Sequence, residues 1–121
     1  MGDQSRETCY TLGEELGDLL RNERSLLVAS TDLSHFYAAP EADRRDGIVL
    51  ADLEKFEPGR LMSDIEEGCA EACGGGPVVA VMIAARVLGA RRLRVLAHTN
   101  SGQITGDRHS VVGYCSAVMS A

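Results

Sequence analysis

The feature that most constrains the fold is a helix-length segment, Pro77 to Gly89, in which the stretch Val78–Ala85 is apolar on every side. A helix of this kind has no polar face for water, so it must be buried on most sides by other elements. The charge-free run that contains it, Cys73–Ala85, includes glycine and proline and is too short to cross a bilayer. We therefore expect a soluble domain with a buried central helix and no membrane contact.

Helical and strand patterns alternate along the chain. The uninterrupted apolar run Leu26–Ala29 is typical of a strand buried on both faces of a parallel sheet. The expected helices cover residues 8–22, segments that begin at Pro40 and Pro58, and Pro77–Gly89, and the other expected strands are Leu93–His98 and Val111–Met119. The sequence predicts a single α/β domain over residues 1–121, with a small, mostly parallel or mixed sheet flanked by helices.

Charge and cysteine content exclude several classes of protein. The net charge is −6 and no basic run is interleaved with aromatic residues, so nucleic acid is not an expected partner. The four cysteines are widely spaced and form no CxxC pair, which argues against a disulfide framework and a zinc knuckle. With a polar, acidic N-terminal stretch, this predicts a cytoplasmic protein. Cys69 shares a helical face with Leu61 and Ile65 and is expected in the core.

The segment Asp32-Leu33-Ser34-His35 follows the expected strand Leu26–Ala29, at the sheet edge where open α/β folds bind ligands. An imidazole there can transfer protons near neutral pH, and Asp32 can orient it. The alternative is a turn capped by Asp32 with His35 as an ordinary surface residue. A hydrolase that uses Ser30 or Ser34 with His35 and Asp32 is a weaker alternative, because the chain has no nucleophile elbow.

Cys73 precedes a glycine triplet and the start of the apolar helix. The positive end of a helix, or a nearby metal, favours the thiolate form of a cysteine. The alternative is a flexible corner between helices with a buried thiol. His98 and His109 have no motif partner, so His98 is expected to be a plain strand residue and His109 to be exposed.

Three segments in the same order resemble the Memo family, which is similar to the catalytic subunit of class III extradiol dioxygenases. LLVASTDLSHFY resembles the family's SSDxSH strand and loop, ACGGGPVVAVMIAARVLGA its CGxGP segment and apolar helix, and HTNSGQITGDRHSVVGYCSAVM its TSGxxSGDxxxVVGY close. Asp46 falls where the family has an aspartate in the helix after the first motif. The resemblance runs from about Leu26 to Met119.

This resemblance implies roles for three residues. His35 falls at the acid/base histidine of the extradiol dioxygenases, Asp32 lies beside it, and Cys73 falls where Memo-type proteins replace a carboxylate ligand with cysteine. The implied metal is iron(II) or copper in an incomplete site, with no metal at all as the alternative. The family's two ligand histidines belong to an N-terminal portion outside the resemblance, and His98 and His109 do not match them.

Two functions from different classes follow from this interpretation. In the first, the chain carries part of a dioxygenase-like metal site, completed by a separate chain or by a second copy in a homo-oligomer, most simply a dimer. In the second, it is a non-catalytic interaction or scaffold module that keeps only the fold.

Overall fold

A computed structural model describes residues 1–121 and contains five helices and three strands. The helices are α1 (Arg6–Leu19), α2 (Ala39–Lys55), α3 (Pro58–Glu66), α4 (Gly75–Val87) and the short α5 (Gly102–Thr105), and the strands are β1 (His35–Tyr37), β2 (Arg92–Asn100) and β3 (Val111–Ser120). The strands form one sheet in the order β1-β3-β2, and both pairs are antiparallel. None of the helices has the length and apolar character needed to cross a membrane.

The helix ends follow local sequence signals. Ser5 caps α1 by accepting a hydrogen bond from the backbone N–H of Thr8, at 3.4 Å. Proline occupies the first turn of both α2 and α3, where no backbone donor is lost. The α2 helix ends at Phe56, whose left-handed backbone (φ 55°) turns the chain into α3.

The apolar helix α4 lies in the core, as its sequence predicts. Val79, Met82 and Ile83 are buried among side chains from α2, α3 and β2. The α1 helix packs closely on α4 because it presents glycine at the contact: a Cβ at Gly13 would lie 2.6 Å from the Ala80 carbonyl oxygen. The core is therefore a layer of helices packed together and against the small sheet.

The structure confirms the α/β class and differs from the sequence prediction in three places. Leu26–Ala29 forms neither a helix nor a strand, and the sheet has no parallel pair. The first strand is instead His35–Tyr37, inside the segment predicted to be a loop. The α3 helix ends at Glu66, and Gly68 then takes a positive φ of 73°. Cys69 is consequently exposed, and its prediction as a core residue was wrong.

Candidate metal centre

Asp32, His35 and Cys73 come together at one end of the sheet. One ligand atom from each, a carboxylate oxygen, a ring nitrogen and the thiol sulfur, lie within 4.8 Å of one another. Asp32 lies in the segment that leads into β1, His35 begins β1, and Cys73 lies in the turn before α4. The structure thus brings together the three residues singled out from the sequence.

One backbone hydrogen bond and one from a backbone amide to the thiol hold the two segments of this cluster together. The Cys73 N–H donates to the Asp32 carbonyl oxygen at 3.2 Å, and the Asp32 N–H points back at the Cys73 Sγ at 3.3 Å. The next residue, Leu33, donates its N–H to the Gly113 carbonyl oxygen of β3 at 2.9 Å. Asp32, which contacts the thiol, is therefore directly followed by a residue that is hydrogen-bonded to the sheet.

Thr31 strengthens the same junction. Its hydroxyl accepts a hydrogen bond from the Gly74 N–H at 2.8 Å and lies 3.7 Å from the Cys73 sulfur. Sulfur therefore faces an amide and a hydroxyl at the N-terminal end of α4, where the backbone dipoles place positive partial charge. Only the amide donates to the sulfur, because the Thr31 hydroxyl donates to the Asp32 carbonyl oxygen at 2.7 Å.

The His35 ring lies between two carboxylates. Its Nε2 is 3.9 Å from Asp32 Oδ2, and its Nδ1 is 3.4 Å from Glu71 Oε1. Glu71 also accepts the backbone N–H of His35 at 3.1 Å, which fixes the carboxylate beside the ring. Each ring nitrogen therefore has one carboxylate oxygen within 4 Å, although neither contact has hydrogen-bond geometry.

Glu71 is the residue of this site that the sequence analysis missed. It lies two positions before Cys73, and nothing in the local pattern distinguishes it from other surface acids. Its hydrogen bond to the Tyr37 hydroxyl raises the pKa of Tyr37, because the negative carboxylate disfavours the phenolate. Glu71 therefore links the turn before α4 to both ends of β1.

The donor set suits a transition metal. Zinc and similar ions bind sulfur, nitrogen and oxygen at about 2.0–2.3 Å in tetrahedral geometry, so the ligands of one ion lie about 3.3–3.8 Å apart. The ligand atoms of the cluster, within 4.8 Å of one another, would have to close by about 1 Å to reach that spacing. The side chains of His35 and Asp32 are 28% and 49% exposed. Metal-bound histidines usually donate their other ring N–H to a carboxylate, the position that Glu71 occupies beside Nδ1.

A family model for Memo-like proteins matches residues 1–118. The chain belongs to the Memo family. It is 36% identical over 118 residues to a MEMO1 family protein of Methanocaldococcus jannaschii, covering 96% of this chain and 41% of that protein. A MEMO1 family protein of Methanosarcina mazei is 32% identical over 121 residues, which cover 98% of this chain and 45% of the relative. A third, from Methanobrevibacter smithii, is 40% identical over 92 residues, 76% of this chain and 33% of the relative.

The chain spans less than half the length of these Memo-family relatives. The resemblance stated from the sequence is thereby confirmed as family membership. The order of the three motifs was sufficient to identify the family, although each motif is short.

A second histidine–carboxylate pair lies beneath the cluster and was not expected. His98 Nε2 on β2 is 2.9 Å from Asp46 Oδ2 on α2, and Asp46 is fully buried. The other Asp46 oxygen accepts the backbone N–H of Ser34 at 3.0 Å. His98 is thus more than a plain strand residue, whereas His109 is exposed as expected. Asp46 anchors the Asp32–His35 segment from the core side.

The serines offer no support for the hydrolase alternative. Ser34 is fully buried, and its hydroxyl has no hydrogen-bond partner. Neither Ser34 nor Ser30 makes a hydrogen bond to the His35 ring, which faces Asp32 and Glu71 instead. A nucleophile needs its base within hydrogen-bond reach, and neither serine has it.

Proposed function

We propose that the Asp32–His35–Cys73 cluster is part of the transition-metal site of a Memo-family protein related to the class III extradiol dioxygenases. The observation that supports this is the convergence of a thiol, an imidazole and a carboxylate within 4.8 Å at a solvent-accessible position. Cys73 would hold the metal through sulfur, with Asp32 as the oxygen donor beside it. Iron(II) or copper bound there would supply redox chemistry and open coordination positions.

In this proposal His35 acts as the acid/base group. Its ring can exchange a proton with Asp32 or Glu71, because each ring nitrogen has a carboxylate within 4 Å. Glu71 keeps the ring oriented, since it bonds the His35 backbone as well as facing Nδ1. The four free cysteines fit a reducing compartment, so we assign the proposed function to the cytoplasm.

We propose further that the site is incomplete in these 121 residues. Useful metal affinity needs three or more well-placed ligands, and the donors proposed here are one thiol and one half-exposed carboxylate. The remaining ligands would come from another polypeptide segment, either in a second copy of this chain or in a Memo-family segment outside the matched region. A metal-free scaffold module is the competing function.

A cobalt(II) titration tests the metal assignment. Cobalt(II) bound to a thiolate gives a sulfur-to-metal charge-transfer absorption that the free ion lacks. We expect this band in the wild-type chain under reducing conditions and its loss in Cys73→Ser. Cys69→Ser is the matched control, because Cys69 is exposed, lies four residues away and belongs to no such cluster.

The outcomes separate the two functions. A band that survives in Cys73→Ser, or that disappears equally in Cys69→Ser, contradicts the assignment of Cys73. No band in the wild-type chain at high cobalt concentration favours the scaffold module.

A further inference from the structure

The turn that carries Cys73 is held from two sides. The Thr31–Asp32 segment bonds it on one side, and the side chain of Gln4, which lies just before α1, bonds it on the other. Gln4 Nε2 donates to the Cys73 carbonyl oxygen at 3.1 Å, and Gln4 Oε1 accepts the Gly76 N–H at 2.9 Å. A single amide group therefore bonds both the residue that bears the thiol and the first turn of α4.

The glycine triplet lets both sides approach the backbone of the turn. A Cβ at Gly76 would lie 2.8 Å from the Gln4 Cβ and 2.9 Å from the sulfur of Cys9 on α1. A Cβ at Gly74 would lie 2.6 Å from the Ser30 carbonyl oxygen. Side chains at these positions would push the turn away from the groups that hold it, so the triplet is a closely packed segment and not a loose corner between helices.

Gln4 is itself fixed by its neighbours in the sequence. The Asp3 carboxylate accepts the Ser5 N–H at 2.8 Å and the Ser5 hydroxyl at 3.2 Å, and Ser5 caps α1 through the Thr8 N–H. The residue between Asp3 and Ser5 is therefore held at the start of α1, which packs on α4. Gln4 thus connects the turn to the helices, whereas Thr31–Asp32 connects it to the sheet.

The hydrogen bonds of Cys73 come from these two sides only. Its N–H and its sulfur face the Thr31–Asp32 segment, and its carbonyl oxygen faces Gln4. Cys73 is exposed, so packing does not fix the direction of its side chain. Because the two peptide planes that flank a residue set the direction of its Cβ, the bonds at the N–H and at the carbonyl together aim the sulfur at Asp32. Without Gln4, the second plane would be attached only to glycine, which restricts backbone rotation least.

We propose that Gln4 is a positioning residue that holds Cys73 against Asp32. This proposal rests on the proposed function, because Cys73 and Asp32 are the proposed metal donors. Gln4 does not contact the metal and acts through the backbone of Cys73. Loss of its amide should leave the fold intact, since Gln4 is exposed, and should loosen the turn around the thiol.

Hydrogen exchange tests this role without metal. The chain is labelled with nitrogen-15 glycine, so that only its 13 glycines are followed, and EDTA is present throughout. Gln4→Met keeps the length of the side chain but removes both hydrogen bonds. The informative amide is that of Gly74, because it bonds Thr31 and not Gln4. We expect its protection to fall about tenfold in Gln4→Met, since the turn opens on both sides of Cys73.

Cobalt binding gives the second readout. The sulfur-to-metal band of Gln4→Met should need about tenfold more cobalt than that of the wild-type chain, the usual cost of losing a group that orients a metal ligand. The matched control is Gln103→Met, which changes the chain's other glutamine, an exposed residue of α5. This control should alter neither the cobalt affinity nor the protection of Gly74.

The outcomes separate a positioning role from a merely structural one. Unchanged protection of Gly74 in Gln4→Met overturns the proposal, as does an unchanged cobalt affinity. An equal loss of protection at Gly47 in α2 would mean that Gln4 stabilises the whole fold, and it overturns the proposal too. If the wild-type chain gives no cobalt band but Gly74 loses protection in Gln4→Met, the metal assignment alone is rejected and Gln4 still holds Cys73.

Discussion

The protein contains two histidine–carboxylate pairs built in opposite ways. His98 and Asp46 join α2 to β2 at 2.9 Å, with the carboxylate fully buried. His35 faces Asp32 at 3.9 Å and Glu71 at 3.4 Å, and all three side chains are between 28% and 49% exposed. The first pair has the length of a strong, charge-assisted hydrogen bond, whereas the second is loose and open to solvent.

The difference separates structure from chemistry. A buried carboxylate must keep its partners, because an unpaired charge in the core is expensive. An exposed one can exchange its partner for water, a proton or a metal at little cost. Asp46 also holds the Ser34 amide, so the closed pair fixes the segment that presents the open pair.

Breaking the closed pair should have the largest effect. Asp46→Ala leaves the buried Ser34 amide without an acceptor and separates His98 from its partner. We expect a loss of about 3 kcal/mol in the free energy of unfolding, measured by urea denaturation. Asp32→Ala is the control and should cost less than about 1 kcal/mol. Equal losses in the two variants would mean that the pairs do not differ as described.

A second way to disturb the closed pair acts through its neighbour on β3. A Cβ at Gly113 would overlap the Asp46 carboxylate, so Gly113→Ala must push that carboxylate off its partners. We expect a loss of about 2 kcal/mol. In the double variant with Asp46→Ala, the carboxylate that the new Cβ would overlap is gone. The loss of stability in the double variant should therefore be smaller than the sum of the two single losses. Strict additivity would show that Gly113 acts on something other than Asp46.

Local signals were sufficient to predict the four longer helices. The prolines that begin α2 and α3 and the apolar surface of α4 are properties of short segments, and these helices form where expected. The strand at Leu26–Ala29 failed because a strand needs a neighbour, which no local pattern supplies. The end of α3 was missed because Gly68, in its left-handed conformation, stops the helix before Cys69.

The open pair could be predicted in part and the closed pair could not. Asp32 and His35 lie three residues apart in one motif, and Cys73 lies beside a glycine triplet, so sequence patterns drew attention to all three. The prediction that they converge depended on the family resemblance. Asp46 and His98 are 52 positions apart on different elements, and Glu71 is one acid among many. Such contacts arise from tertiary packing and leave no local pattern.

A second buried carboxylate, Asp52, sharpens the comparison, because it faces Arg60 and an acid instead of a histidine. Burial, and a hydrogen bond with Asp64, raise the pKa of Asp52 from 3.8 to about 6. Since the folded pKa lies above the unfolded one, the contribution to stability is complete below about pH 4 and is lost as the pH rises through about 6. Asp52→Asn removes this loss, so the variant should be more stable than the wild type by about 1–2 kcal/mol near pH 7.5.

Urea denaturation at two pH values checks the Asp52 prediction. The advantage of Asp52→Asn should shrink toward zero near about pH 4. A difference that stays constant with pH would mean that Asp52 does not titrate in this range.

The smallest effect on stability is expected where the open pair is weakened without removing a ligand. Glu71→Gln keeps the side chain's shape but removes the charge beside His35 Nδ1 and the Tyr37 hydroxyl. Because that charge raises the pKa of Tyr37, the pKa should fall in the variant, which ultraviolet titration detects, with Tyr37→Phe identifying the signal among the three tyrosines. Cobalt affinity should stay about the same, because Cys73 and Asp32 are the proposed metal donors and His35 is the acid/base group. A fall of about tenfold, the usual cost of losing a carboxylate behind a ligand histidine, would instead make His35 a ligand. Glu67→Gln, an exposed change nearby, should alter neither quantity. A lower tyrosine pKa with unchanged cobalt affinity would place Glu71 beside Tyr37 and leave His35 without a role in holding the metal.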